Sequence, residues 1–178
     1  MHVVSAAEQM IFVLGGARSG KTRYAESLIV NEPPPWIYVA TAEALDDEMA
    51  QRIAEHRARR ADGWRTVEAP HDLLHALASV PAGAKVLIDC MTLWLSNLLL
   101  AGADIEREIA NLDAALTQIP GKAVLVANEV GCGIVPKNAL AREFRDLQGR
   151  LNQRLAARAD RVVLMVAGLP LFVKGHPS

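Results

Sequence analysis

The stretch MIFVLGGARSGKTRYAESLIVN, residues 10–31, decides the fold. A short β-rich apolar run enters a glycine-rich loop, and helix-forming residues leave it. Gly15-Gly16-Ala17-Arg18-Ser19-Gly20-Lys21-Thr22 matches GxxxxGK[ST] without a mismatch, in the strand–loop–helix context the motif requires. Such a loop turns backbone N–H groups toward phosphate oxygens, and the helix N-terminus behind it adds partial positive charge. Lys21 is expected to reach the β- and γ-phosphates, and the Thr22 hydroxyl to ligate Mg²⁺. An ordinary glycine-rich turn is the alternative, and the intact motif in this context speaks against it.

Working outward, strands and helices alternate. WIYVAT (36–41), RTVEA (65–69), AKVLIDC (84–90), KAVLVANEV (122–130) and DRVVLMVAG (160–168) read as further strands, the last being the final core strand. EPPP (32–35) breaks the first helix. DDEMAQRIAEHRARRA (46–61) is a helix capped by Asp46, with Met49, Ile53 and Ala54 as its apolar stripe. Segments 71–80, 91–100, 104–119 and 139–159 are also helical. The third of these carries Ile105, Ile109, Leu112 and Leu116 on one face. Near-continuous apolar strands separated by helices predict a three-layer α/β domain with a mainly parallel sheet. One domain over 1–178 is expected, with residues 1–9 as an N-terminal extension.

The 178 residues are 51% hydrophobic and 22% charged, with a net charge of −1, so bulk charge implies no attraction to nucleic acid or anionic membrane. Cys90 and Cys132 are too few and too far apart for a disulfide framework or a zinc site, which fits a reducing cytosol. The N-terminus has no basic region ahead of its apolar residues, so no secretory signal is read. The longest apolar region, 86–103, is interrupted by Asp89 and Asn97 and reads as buried strand and helix, with no membrane insertion. The expectation is a cytoplasmic protein.

A phosphate loop needs an acid for its metal at the end of a neighbouring core strand. VLID (86–89) supplies Asp89, and a helix N-cap is the competing role. A regulatory GTPase would carry NKxD after a core strand, where this chain has Asn128-Glu129-Val130-Gly131. An ABC-type ATPase would carry LSGGQ, and LSNLL (95–99) is not that. A small-molecule kinase remains by elimination.

His56 sits among Arg52, Arg57, Arg59 and Arg60 on the second helix. A solvated basic face is one reading. The other is a nucleophile: a neutral imidazole can attack phosphorus, and nearby guanidiniums would neutralise the phosphates and favour the uncharged ring. Residue types alone leave both open. His71 and His75 lie four apart but lack further ligands, so surface or capping positions are expected. His2 and His176 lie near the ends.

GGARSGKTRYAE, YVATAEALDDEMAQRIAEHRARR, GWRTVEAP, LIDCMTLWLSNLL, NEVGCGIVPKNALAREFRDLQGRLNQRLA and ADRVVLMVAGLPL together resemble the bifunctional adenosylcobinamide kinase / adenosylcobinamide-phosphate guanylyltransferase family, from about residue 11 to 174. The resemblance implies a RecA-like P-loop fold, a trimer and a late step of adenosylcobalamin assembly. It implies ATP or GTP as phosphate donor to the aminopropanol hydroxyl of adenosylcobinamide, then GTP as the source of a guanylyl group carried on a histidine. That histidine falls on His56, and the phosphate loop on Gly15–Thr22 with Arg23 beside it. Further nucleotide contacts fall on Thr41, Ala42, Glu43, Arg57, Ala58, Arg59, Arg60, Glu68 and Asp89. The loop ends in GKT where GKS is common in the family, which keeps the hydroxyl.

Overall fold

A computed structural model describes residues 9–44, 46–60 and 62–175; the side chains of Arg52 and Arg59 are outside it, as are residues 1–8 of the expected extension, His2 and His176. The elements run β1 (Met10–Gly15), α1 (Lys21–Val30), β2 (Trp36–Ala40), α2 (Asp47–Arg59), β3 (Trp64–Glu68), α3 (Leu73–Ala78), β4 (Lys85–Asp89), α4 (Met91–Leu100), α5 (Ile105–Thr117), β5 (Ala123–Asn128), α6 (Ala139–Arg158), β6 (Arg161–Val166) and β7 (Leu169–Lys174). The strands form one sheet in the order β3-β2-β4-β5-β1-β6-β7. The first six are parallel, and β7 runs antiparallel to β6. The expected α/β architecture with a mainly parallel sheet is what forms.

Alternation along each strand supplies both faces. Phe12, Ile37, Val39, Val86, Ile88 and Leu125 point to the side covered by α3 to α6, where Trp94, Leu95, Leu112, Leu151 and Leu155 meet them. Ile11, Val13, Leu87, Val124, Val126 and Val163 point to the side where Ala25 and Ile29 of α1 pack. Asp46 caps α2 as expected, accepting from the Met49 N–H at 2.7 Å.

One element goes beyond the sequence reading: no strand is legible in the sequence over β7. It follows a two-residue turn in which Ala167 and Gly168 both have positive φ, the geometry that favours tight hairpins. Its Pro170 and its exposed Leu169, Leu171 and Val173 are those of an edge strand, which carries no core signature. The apolar stripe of α2 lies outside the core. α2 buries no described residue; Met49 and Ile53 face a cleft and Ala54 is exposed.

β5 lies between β1, which leads into the glycine loop, and β4, which ends in Asp89. The crossovers therefore bring both strand ends to the same carboxyl edge of the sheet, the side on which open α/β sheets bind ligands.

Candidate active site

The loop after β1 is shaped by close approaches. A Cβ on Gly15 would stand 2.5 Å from Ser19 Oγ and 2.8 Å from the Met165 carbonyl oxygen, so glycine is required there. Gly20 caps α1 with φ +92°, a conformation that glycine adopts freely. Neighbouring elements tie the loop down. The Glu129 N–H donates to Gly15 O at 3.1 Å, and the Gly168 N–H donates to Ser19 O at 3.1 Å. Lys21 is buried, and its Nζ donates to Gly16 O at 2.7 Å across the loop. Burial pushes the Lys21 ammonium below its ordinary pKa, with Cys90 and Asp89 opposing the shift. Gly16, Ala17, Arg18 and Arg23 are exposed, and Ser19 Oγ is buried with no hydrogen-bond partner.

The end of β4 carries the acid. Asp89 Oδ2 accepts from Thr22 Oγ1 at 2.8 Å and from the Tyr38 hydroxyl at 2.9 Å. The cap position of α4 belongs to Cys90, so the capping role open to Asp89 is not taken. Two oxygen-bearing side chains from different elements thus meet at hydrogen-bond distance, a donor set suited to a hard cation such as Mg²⁺. Burial is the largest cause that raises the Tyr38 pKa, followed by the charge of Asp89 and the hydrogen bond to it; the phenol stays protonated and remains a donor. Burial likewise pushes the Cys90 thiol up to about 12.

The strand tips are bolted together from behind. The Thr41 hydroxyl donates to Cys90 O and accepts from the Cys90 N–H, both at 2.7 Å. Asn97 of α4 donates from one Nδ2 to Thr41 O at 2.9 Å and to Pro70 O at 3.0 Å. It thereby joins the chain leaving β2 to the chain leaving β3.

A cleft of about 240 Å³ opens above this edge, lined among others by Thr22, Tyr38, Asp89, His56, Arg57 and Arg60. His56, far from Thr22 and Asp89 in sequence, shares their cleft. Ala42 lines it too. Thr41 is fully buried, so its hydroxyl serves the strand tips, and Glu43 is partly exposed. Arg57 pairs with Glu68, both half-exposed, so two expected nucleotide contacts hold each other here. Arg60 lies over the Tyr38 ring, its Cζ 3.7 Å from the centroid, and its Nη1 is buried without a hydrogen-bond partner. Ala58 is exposed outside the cleft lining, and Arg59 has no described side chain. His71 and His75 flank the cap Asp72, and among the described residues no cluster of three metal-ligating side chains occurs. The sequence does not mark Tyr38, Asn97 and Cys90 as site residues. A hydroxyl or amide inside an apolar run was the available signal.

The comparisons with known proteins decide the family. The model for cobinamide kinase / cobinamide phosphate guanyltransferase matches residues 11–173. The chain belongs to this family. It is 49% identical over 170 residues to the bifunctional adenosylcobalamin biosynthesis protein CobP of Pseudomonas aeruginosa, covering 93% of this chain and 97% of that one. It is 46% identical over 181 residues to the bifunctional protein CobU of Salmonella typhimurium, covering 93% and 99%. Among solved structures, an ATPase of a bacterial type III secretion system aligns with TM-score 0.51 at 11% identity, over 88% of this chain and 50% of that one. A Pyrococcus horikoshii protein aligns with TM-score 0.51 at 10% identity, over 95% and 87%. These two likenesses show the fold alone. No helix among the described residues is long and apolar enough to cross a membrane.

Proposed function

We propose that this family member carries out both reactions its family is named for. In the first, the aminopropanol hydroxyl of adenosylcobinamide attacks the γ-phosphorus of ATP or GTP, its proton is lost, and a nucleoside diphosphate leaves. In the second, the His56 imidazole attacks the α-phosphorus of GTP and pyrophosphate leaves. The phosphate oxygen of adenosylcobinamide phosphate then attacks that phosphorus, giving adenosyl-GDP-cobinamide and restoring His56. The observation that carries this reading is that His56 lines one cleft with Thr22 and Asp89.

The residues divide the work by chemistry. Gly15–Thr22 supply N–H donors and the Lys21 ammonium for the phosphates. Thr22 and Asp89 would hold Mg²⁺, which neutralises charge on the phosphate oxygens. Arg60 lines the same cleft and has one nitrogen buried without a partner, which supports assigning its charge to the phosphates. Arg57 and Glu68 keep their ion pair beside the cleft. Ala42, Glu43, Ala58, Arg59 and Arg23 are assigned to the nucleotide on family resemblance, as are a trimeric assembly and a cytoplasmic location.

Labelling with GTP carrying ³²P at its α-phosphate tests the chemistry. The protein is expected to retain an acid-labile, base-stable label and to release pyrophosphate. His56→Ala should abolish the label and keep the kinase step. Lys21→Ala should lose the kinase step, since phosphate positioning goes with it. A label surviving in His56→Ala removes the nucleophile assignment, and an unlabelled wild-type protein leaves a kinase only.

A further inference from the structure

Tyr38 lies in the middle of β2, where the pattern asks only for a large apolar side chain. Its ring is buried in the layer beside Trp64, edge-on at 82° with centroids 6.0 Å apart. Trp64 in turn packs on Trp36 at 5.9 Å. This row fixes the ring. From that fixed position Tyr38 touches both halves of the site. Its hydroxyl donates to Asp89 Oδ2 at 2.9 Å, the same oxygen that accepts from Thr22 at 2.8 Å. Its ring face carries the Arg60 guanidinium at 3.7 Å. Arg60 is the C-cap of α2, four residues beyond His56.

α2 buries no described residue, so its seat on the body depends on contacts at its edge. Among the contacts of the described residues there are the half-exposed Arg57–Glu68 pair and Arg60 on Tyr38. Exposed ion pairs hold little. A guanidinium over a buried ring, with one nitrogen withdrawn from water, holds more. A core-filling role would be met equally by phenylalanine, and would give no reason for the hydroxyl to aim at the one carboxylate oxygen shared with the phosphate loop.

The geometry points to Tyr38 as a positioning residue for both reactions: its hydroxyl orients the Asp89 carboxylate for the metal, and its ring seats Arg60 and with it the end of the helix that bears His56. The inference rests on the assignments of Asp89 and His56 made above.

The two contacts can be removed separately. Tyr38→Phe keeps the ring and deletes the hydroxyl; Tyr38→Leu deletes both. Binding of a non-hydrolysable ATP analogue, titrated with and without Mg²⁺, reads the first contact without turnover. In Tyr38→Phe the Mg²⁺-dependent gain in affinity should shrink about tenfold, the size expected for one hydrogen bond to a charged group, with Mg²⁺-free binding unchanged. The rate of His56 labelling by GTP at saturating Mg²⁺ reads the second contact. Tyr38→Phe should label at close to the wild-type rate, and Tyr38→Leu at least about tenfold more slowly. Thermal melts of both variants identify any general loss of folding, which would weaken nucleotide binding with and without Mg²⁺ alike.

A wild-type Mg²⁺ response in Tyr38→Phe overturns the role of the hydroxyl. Equal labelling rates in Phe and Leu variants overturn the role of the ring. Wild-type protein that takes no label overturns the guanylyl-histidine reading instead, and the Mg²⁺ titration still decides the hydroxyl.

Discussion

Asn97→Ala removes the bolt behind the site. Both acceptors of the Asn97 amide are backbone carbonyls, Thr41 O and Pro70 O, and Asn97 itself is only 8% exposed. The bonds measure 2.9 and 3.0 Å, so neither is marginal. Truncation leaves the buried Thr41 O and the part-buried Pro70 O without their donor. At about 1–3 kcal/mol for each stranded group, the expected loss is about 2–6 kcal/mol. That is a large part of a typical total of about 5–15 kcal/mol. For a chain of this size, each kcal/mol lowers the melting temperature by about 2–4 °C. Urea unfolding followed by tryptophan fluorescence measures it. The same change removes the side-chain tie between the chain after β2 and the chain after β3, so the KM for nucleotide should rise as well. A loss below about 1 kcal/mol would mean that water replaces the amide at little cost, and would refute the reasoning that one side chain joins the two tips.

Other outcomes follow from the same geometry. Gly15→Ala should abolish nucleotide binding in a filter or fluorescence assay while the protein stays folded, because the new Cβ displaces Ser19 or the Met165 carbonyl. A thiol reagent should modify the exposed Cys132 at once and the buried Cys90 only after denaturation, as timed by mass spectrometry. The Cys90 thiol, raised from 9.0 to about 12, keeps its proton longer folded than unfolded; its contribution to stability is whole below pH 9 and falls as pH rises toward 12, which alkaline melts of wild type and Cys90→Ala compare. The Lys21 pKa is lowered from 10.5 by burial, so bound phosphate should raise it; nucleotide binding just below pH 10.5 should take up a proton, which calorimetry in buffers of different ionisation enthalpy reads.

The frame of the site was legible because motifs declare themselves. Gly15 to Thr22 carry a spacing that only one backbone shape explains, and Asp89 ends a core strand. What escaped reading depended on tertiary neighbours. Asn97 looked like an interruption in an apolar run because nothing local says that two carbonyls wait across the sheet edge. Tyr38 looked like a strand residue because its partners come from β3, β4 and the end of α2. The spacing of Met49 and Ile53 records only that a face is apolar, and what covers that face is not local information; here it lines a cleft. β7 was missed because an edge strand with a proline and outward apolar residues matches neither a buried run nor an alternating one.

The ties on the glycine loop have an electrostatic meaning. The carbonyl of Gly15 is engaged by Glu129, that of Gly16 by Lys21 and Ser19, that of Ser19 by Gly168, and that of Gly20 by Tyr24. Four carbonyl oxygens of the loop are therefore engaged before any guest arrives. Groups held in this way keep their orientation, so little rearrangement is left to oppose the binding of a triphosphate. Folding of the flanking β5 and of the β6–β7 turn sets that orientation, which makes residues far from any phosphate part of the loop's preorganisation.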